Sequence, residues 1–265
     1  MPDLISPHSS KIIAVANQKG GVGKTTTAIN LSAALAEVGR RVLLVDLDPQ
    51  GNASTGLGIG TEERDITTYD FILGDATAEE AIHETDVENL YIIPATTDLS
   101  SADIELISNE KRSFLLHDAL RDPALAEQGF DYILIDYPPS LSILTVNALV
   151  SAHSVVVPLQ SEFFALEGLS QLMLTIREVR EAANPDLRIE GIALTMHDRR
   201  NKLSHQVEAD ARNTLGELVF RTLIPRNVRV SEAPSYAMPV LDYDSASTGS
   251  AAYRALAKEI TARER

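Results

Sequence analysis

Two lysines stand five positions apart in the stretch NQKGGVGKTTT, residues 17–27, with glycines between them at 20, 21 and 23. Gly20, Gly21 and Gly23 let backbone N–H groups, that of Val22 included, turn inward and cradle phosphate oxygens. Lys24 then reaches the terminal phosphates of a nucleoside triphosphate, and the Thr25 hydroxyl is placed to ligate Mg²⁺. The strict phosphate-loop pattern G-x-x-x-x-G-K-[ST] asks for glycine six residues before Lys24, where Gln18 stands. Lys19 is a second departure, an extra cation in a loop that already has its phosphate lysine.

The same chemistry needs carboxylates, and strand-like runs supply them. Asp136 ends YILID, the usual position for a carboxylate that supports the Mg²⁺ shell through water. Asp46 and Asp48 follow another apolar run in LLVDLDPQGN; one of them is placed to orient or deprotonate an attacking water.

The elements that position these residues are legible as short apolar runs: 12–17, 41–46, 90–95, 132–136, 154–159, 189–196 and 218–225. They are continuous rather than alternating, as expected of strands covered on both faces. Helical spacing lies between them: Leu166, Leu169, Leu172, Met173, Ile176 and Val179 repeat at three and four, and a helix over 25–38 stops at Gly39. Strands alternating with helices predict an α/β fold, a doubly wound, mostly parallel sheet flanked by helices. Residues 11–265 read as a single domain behind a flexible tail, 1–10. Ligands in such sheets bind beyond the carboxyl ends of the strands, and NQKGGVGKTTT, DLDPQGN, DYPPS, TMHDRR and IPRNVR all follow strand ends.

Composition narrows the function. The absence of cysteine removes disulfides, thiolate metal sites, iron–sulfur ligation and cysteine nucleophiles. The net charge of -15 taken whole speaks against a nucleic-acid partner. Its distribution qualifies that: residues 60–131 carry 18 acidic and 4 basic side chains, whereas 177–229 carry 10 basic and 8 acidic. The first ten residues show neither a basic cluster nor an apolar run, so no secretory signal is expected. The apolar stretch 142–159, broken by Asn147, His153 and Pro158, reads as a helix followed by a strand rather than a membrane span.

KGGVGKTTT with its early lysine, LLVDLDPQGN, LIDYPPS, VVVPLQSEFFALEGLSQL, LTMHDRRNKLSHQV and IPRNVRVSEAPS follow one another in order. The chain resembles the deviant-Walker-A partition ATPases called ParA or Soj, and is most similar to the short, chromosomal type, with no extra DNA-binding domain before the first strand. The resemblance implies an ATP hydrolase with ATP and Mg²⁺ as its cofactors. It implies that Lys19 crosses the interface of an ATP-sandwiched homodimer to the nucleotide of the other subunit, neutralising charge as an arginine finger does. By position, Lys24 binds phosphates, Thr25 ligates the metal, Thr26 contacts an inner phosphate, Asp48 positions the water and Asp136 supports the metal. Pro225 and Asn227 resemble the segment that contacts adenine. The sequence departs from these relatives at Tyr137 and Ser161, where they typically carry cysteine; Tyr137 is bulky beside the metal.

The resemblance also implies nonspecific binding of double-stranded DNA by the ATP-bound dimer, a ParB-type centromere-binding partner that stimulates hydrolysis, and a cytoplasmic, nucleoid-associated location. The cations for backbone contacts are Arg199, Arg200, Lys202, Arg226 and Arg229, with no interleaved aromatics for single-strand stacking. Two alternatives share the loop: a MinD-like membrane-cycling ATPase and a ParA-like ATPase that positions a non-DNA cargo. The terminal stripe of Tyr253, Leu256, Ala257 and Ile260 lacks the bulky residues of an interfacial helix and is expected to pack on the domain, so no membrane partner is expected.

Overall fold

The computed structural model describes residues 10–106, 109–162 and 165–263. Among the described residues, eight strands form one sheet: β1 (Lys11–Val15), β2 (Val42–Asp46), β3 (His83–Glu84), β4 (Leu90–Ile93), β5 (Tyr132–Asp136), β6 (Ser154–Gln160), β7 (Arg188–His197) and β8 (Val219–Pro225). Their spatial order is β3-β4-β2-β5-β1-β6-β7-β8. Every pairing is parallel except that of β3 with β4. The seven expected runs are all strands. Two-residue β3 is the addition, too short to leave a pattern in the sequence. The tail expected over 1–10 falls, but for Ser10, outside the described residues.

Continuous apolar strands cover two faces because successive side chains point to opposite sides. On β1, Ile12 and Ala14 join one core, while Ile13 and Val15 join the other. The first core takes the helices Ile143–Ser151 and Ala165–Ala182, the latter through Leu169, Leu172, Ile176 and Val179. The side chain of Leu166, expected on that stripe, lies outside those described. The second core takes the helix Lys24–Glu37 and the C-terminal helix Thr248–Ala262. Tyr253, Leu256, Ala257 and Ile260 are fully buried there, so the terminal stripe packs on the sheet. Among the described residues, no helix is long and apolar enough to cross a membrane.

Strand order places the chemistry. From β1 the chain winds to one side through β2 and β4, returns as β5, and continues through β6 to the opposite edge. The order reverses at β1, which opens a crevice beyond its carboxyl end. Val15 stands in register with Asp136 of β5, and Asp46 of β2 does so on the other side of Asp136. The turn that leaves β1 therefore faces both strand-end aspartates.

Candidate active site

That turn runs directly into the helix Lys24–Glu37. Gly21 and Gly23 take positive φ, 75° and 87°, a conformation that side chains with a Cβ resist. Gly23 caps the helix without a side-chain hydrogen bond, and the first turn carries no acidic residue. The first N–H groups of a helix have no intrahelical acceptor. Here neither the cap nor the first turn supplies a carboxylate in their place, which leaves the positive end of the helix suited to an external anion.

Buried contacts hold the loop in shape. Asn17 donates to the carbonyl of Pro158 at 2.7 Å and accepts from the Lys19 N–H at 2.9 Å. Thr195 at the end of β7 donates to the Val22 carbonyl at 2.9 Å. Gln18 donates to the Thr175 hydroxyl at 2.8 Å, so the residue that replaces the pattern's glycine anchors the loop to the helix Ala165–Ala182. Asn17 and Gln18 stand in the sequence motif itself. Thr175 and Thr195 lie more than 150 positions away and carry no signal that sequence reasoning could use.

The two lysines differ in environment. Lys24 is buried, 7% exposed, and donates to the Lys19 carbonyl at 3.4 Å. Burial pushes its pKa below the ordinary lysine value, while Asp136 and Asp48 act in the opposite direction. Lys19 is exposed, its ammonium 3.8 Å from the Glu162 carboxylate. Beside it, a Cβ built on Gly20 would meet no atom of the described residues within 4 Å.

The carboxylates separate into three roles. Asp136 is wholly buried, and among the described residues no donor meets either of its oxygens at good hydrogen-bond geometry. Burial first, and the nearby Asp46 second, push its pKa up to about 8, with Thr25 and Lys24 acting the other way. An orphaned carboxylate beside the Thr25 hydroxyl is the donor set expected of a Mg²⁺ site, since that ion takes oxygen ligands and retains water. Asp46 is fully engaged: it accepts from the Ser54 N–H at 2.8 Å, the Ser54 hydroxyl at 2.7 Å and the Asp48 N–H at 3.2 Å. Of the pair left open by the sequence, Asp46 is therefore a structural pin of the turn. Asp48 remains, nearly buried, with one oxygen accepting from the Gln50 N–H at 3.0 Å.

Arg64 was invisible in the sequence. Its guanidinium is buried and donates to the carbonyls of Ile59 and Ala95 and the hydroxyl of Thr55, bracing the turn after Asp48. Tyr137 points its ring into the core, and its hydroxyl has no hydrogen-bond partner. The Ser161 hydroxyl donates to the Thr195 carbonyl at 3.3 Å.

A cleft of about 120 Å³ opens beside the amino end of the first helix, lined by Gly23, Thr26, Met196, Pro225, Asn227 and Tyr253 among others. Pro225 and Asn227 thus line the same cleft as Gly23 of the phosphate loop and Thr26 of the helix that follows it. Arg199, Arg200, Lys202 and Arg226 are exposed at the carboxyl ends of β7 and β8, on the same end of the sheet. Arg200 is 92% exposed, with Asp198 at 3.4 Å. Arg229 is exposed but engaged by Glu232 at 3.0 Å and Asp244 at 3.3 Å.

A glycine turn that feeds the bare end of a helix at the switch point of a parallel sheet places the molecule among P-loop nucleoside triphosphatases. Residues 10–189 match a family model described as an AAA domain. The chain is 56% identical over 261 residues to the chromosome partitioning protein ParA of Caulobacter vibrioides, spanning 98% of this chain and 97% of that one. It is 52% identical over 252 residues to the sporulation initiation inhibitor protein Soj of Bacillus subtilis, covering 95% and 98% respectively. Among solved structures it is similar to a cobyrinic acid a,c-diamide synthase from Mycobacterium smegmatis with bound ADP and magnesium: TM-score 0.81, 39% identity, 94% of this chain and 93% of that one. The chain belongs to the ParA/Soj family of partitioning ATPases.

Proposed function

We propose that the protein binds Mg-ATP in the loop 17–27, dimerises around two nucleotides, binds DNA without sequence preference, and is released when a partner stimulates hydrolysis. The observation that carries this reading is the contrast between the two lysines. Lys24 is buried inside the loop, whereas Lys19 is exposed next to a glycine that has open space around it among the described residues. Nothing among the described residues calls for glycine at position 20. A second copy approaching there would, and Lys19 would then exchange Glu162 for the partner's phosphates.

Gly20, Gly21, Val22, Gly23, Lys24, Thr25 and Thr26 would hold the triphosphate, and Pro225 and Asn227 the base. Thr25 and, through water, Asp136 would hold Mg²⁺, which when bound neutralises charge on the phosphates. Lys24 and Lys19 would supply positive charge whose attraction grows as negative charge develops on the phosphate oxygens in the transition state. Asp48 orients the attacking water from the open side of the site. Arg199, Arg200, Lys202, Arg226 and, more weakly, Arg229 would contact DNA phosphates, and dimerisation doubles their number.

The process is chromosome or plasmid segregation with a ParB-type centromere-binding protein, at the nucleoid. Burial of the C-terminal helix favours this over a membrane-cycling role, because the stripe that would enter a bilayer is already spent on the core. The test is ATPase activity measured with DNA, with the DNA-bound partner, and with both. The expected result is greatest stimulation with both, abolished by Asp48→Ala with ATP binding retained. No stimulation by any combination would refute the partition reading.

A further inference from the structure

The geometry points to a transition-metal site outside the nucleotide crevice, formed by His197, His205 and Glu208. We propose that it takes a zinc-like divalent cation. His197 ends β7, while His205 and Glu208 lie three positions apart on one face of the helix Lys202–Leu215. One ligand atom from each of the three lies within 4.8 Å of the other two.

The His197 ring is buried, and its Nε2 sits 3.2 Å from Glu208 Oε2. That distance is within hydrogen-bonding range, yet among the described residues Nε2 makes no hydrogen bond. A buried, unpartnered ring nitrogen normally costs stability. The separation instead suits two ligands of one tetrahedral ion: with metal–ligand bonds of roughly 2.0–2.1 Å, adjacent donors stand about 3.3 Å apart. His205 is exposed, so its ring can close the remaining gap and the site has an entry path from solvent.

The surrounding contacts orient the donors. Arg212 donates to the other carboxylate oxygen, Glu208 Oε1, at 2.9 Å, leaving Oε2 toward His197. The His205 ring, through Nε2, donates to the Arg199 carbonyl at 2.8 Å, so Nδ1 keeps the lone pair that a metal would take. Partners of this kind fix the orientation of metal-ligating side chains. Two imidazoles and one carboxylate select zinc, nickel or copper over Mg²⁺, which prefers oxygen. The ion would tie the end of β7 to the helix Lys202–Leu215 and close the turn 198–201 that carries Arg199 and Arg200.

The test is calorimetric titration of the full chain with zinc chloride in nucleotide-free buffer holding millimolar Mg²⁺. Wild type is expected to take up about one zinc per chain at this site. His205→Ala and Glu208→Gln should each weaken that binding more than the roughly 10- to 100-fold typical of losing an outer-shell partner. Both positions are partly or fully exposed, so circular dichroism should report a native fold in each variant. Zinc uptake equal in stoichiometry and affinity across wild type and both variants would overturn the proposal, as would no uptake by wild type.

Discussion

Replacing Ser54 with alanine tests the assignment of Asp46 as a structural carboxylate. The Ser54 hydroxyl donates to Asp46 at 2.7 Å and accepts from the Ala95 N–H at 3.0 Å. Burial pushes the Asp46 pKa from 3.8 to about 6, and the Ser54 hydrogen bonds limit the rise. A raised carboxyl pKa means that the folded state holds its proton more tightly than the unfolded chain. Stability from this group is therefore complete below pH 4 and declines, by about 1.4 kcal/mol per pH unit, until pH passes about 6.

Ser54→Ala removes a bond to a charged group at pH 8, worth about 1.5–3 kcal/mol, and strands the buried Ala95 N–H, costing a further 1–3 kcal/mol or so. At pH 5 Asp46 is largely neutral and its lost bond is worth only about 1 kcal/mol. The substitution should thus cost roughly 3–5 kcal/mol at pH 8 and about 1 kcal/mol less at pH 5, because the folded pKa of Asp46 rises once its donor is gone. Urea unfolding at both pH values, in EDTA and without nucleotide, measures the difference. Equal destabilisation at the two pH values would refute the pairing of Ser54 with an ionisable Asp46.

Gly51→Ala should destabilise by roughly 2–4 kcal/mol in urea unfolding: the residue has φ 59°, and a Cβ would lie 2.3 Å from Arg64 Nη1 and 2.8 Å from the Ala95 carbonyl. Because the Gly51 N–H bonds the Asp48 carbonyl, ATPase activity should fall as well. Tyr137→Phe should raise stability by about 1 kcal/mol in the same assay, since it removes a buried hydroxyl that has no partner. Arg199→Ala with Arg200→Ala should lower the slope of log K against log salt for DNA binding by about 2 per chain, whereas Arg229→Ala should change it less. Arg229 is already balanced by Glu232 and Asp244.

Strand positions were legible because a strand covered on both faces must be apolar at every position, so YILID announces itself at its observed limits, Tyr132–Asp136. The phosphate loop was legible because its glycines and lysine are adjacent in sequence. What stayed hidden depends on contacts between distant residues. Asp46 and Asp48 look equivalent in LLVDLDPQGN, and only the return of Ser54 beneath β2 distinguishes them. Arg64 lies in an acidic surface-like stretch and gives no hint that three backbone and side-chain acceptors will enclose it. Lys19 was recognisable as surplus from the loop pattern, but its engagement with Glu162 requires β6 to end beside the loop.

Mass measured by light scattering, with Mg-ATP and with Mg-ADP, tests the central claim that Lys19 and Lys24 serve different steps. Wild type should be dimeric with ATP and monomeric with ADP, and Lys24→Ala should lose nucleotide binding itself. Lys19→Ala should still bind ATP, measured in parallel with a fluorescent analogue, yet remain monomeric. A Lys19→Ala protein that dimerises like wild type, or fails to bind ATP as Lys24→Ala does, would contradict the account.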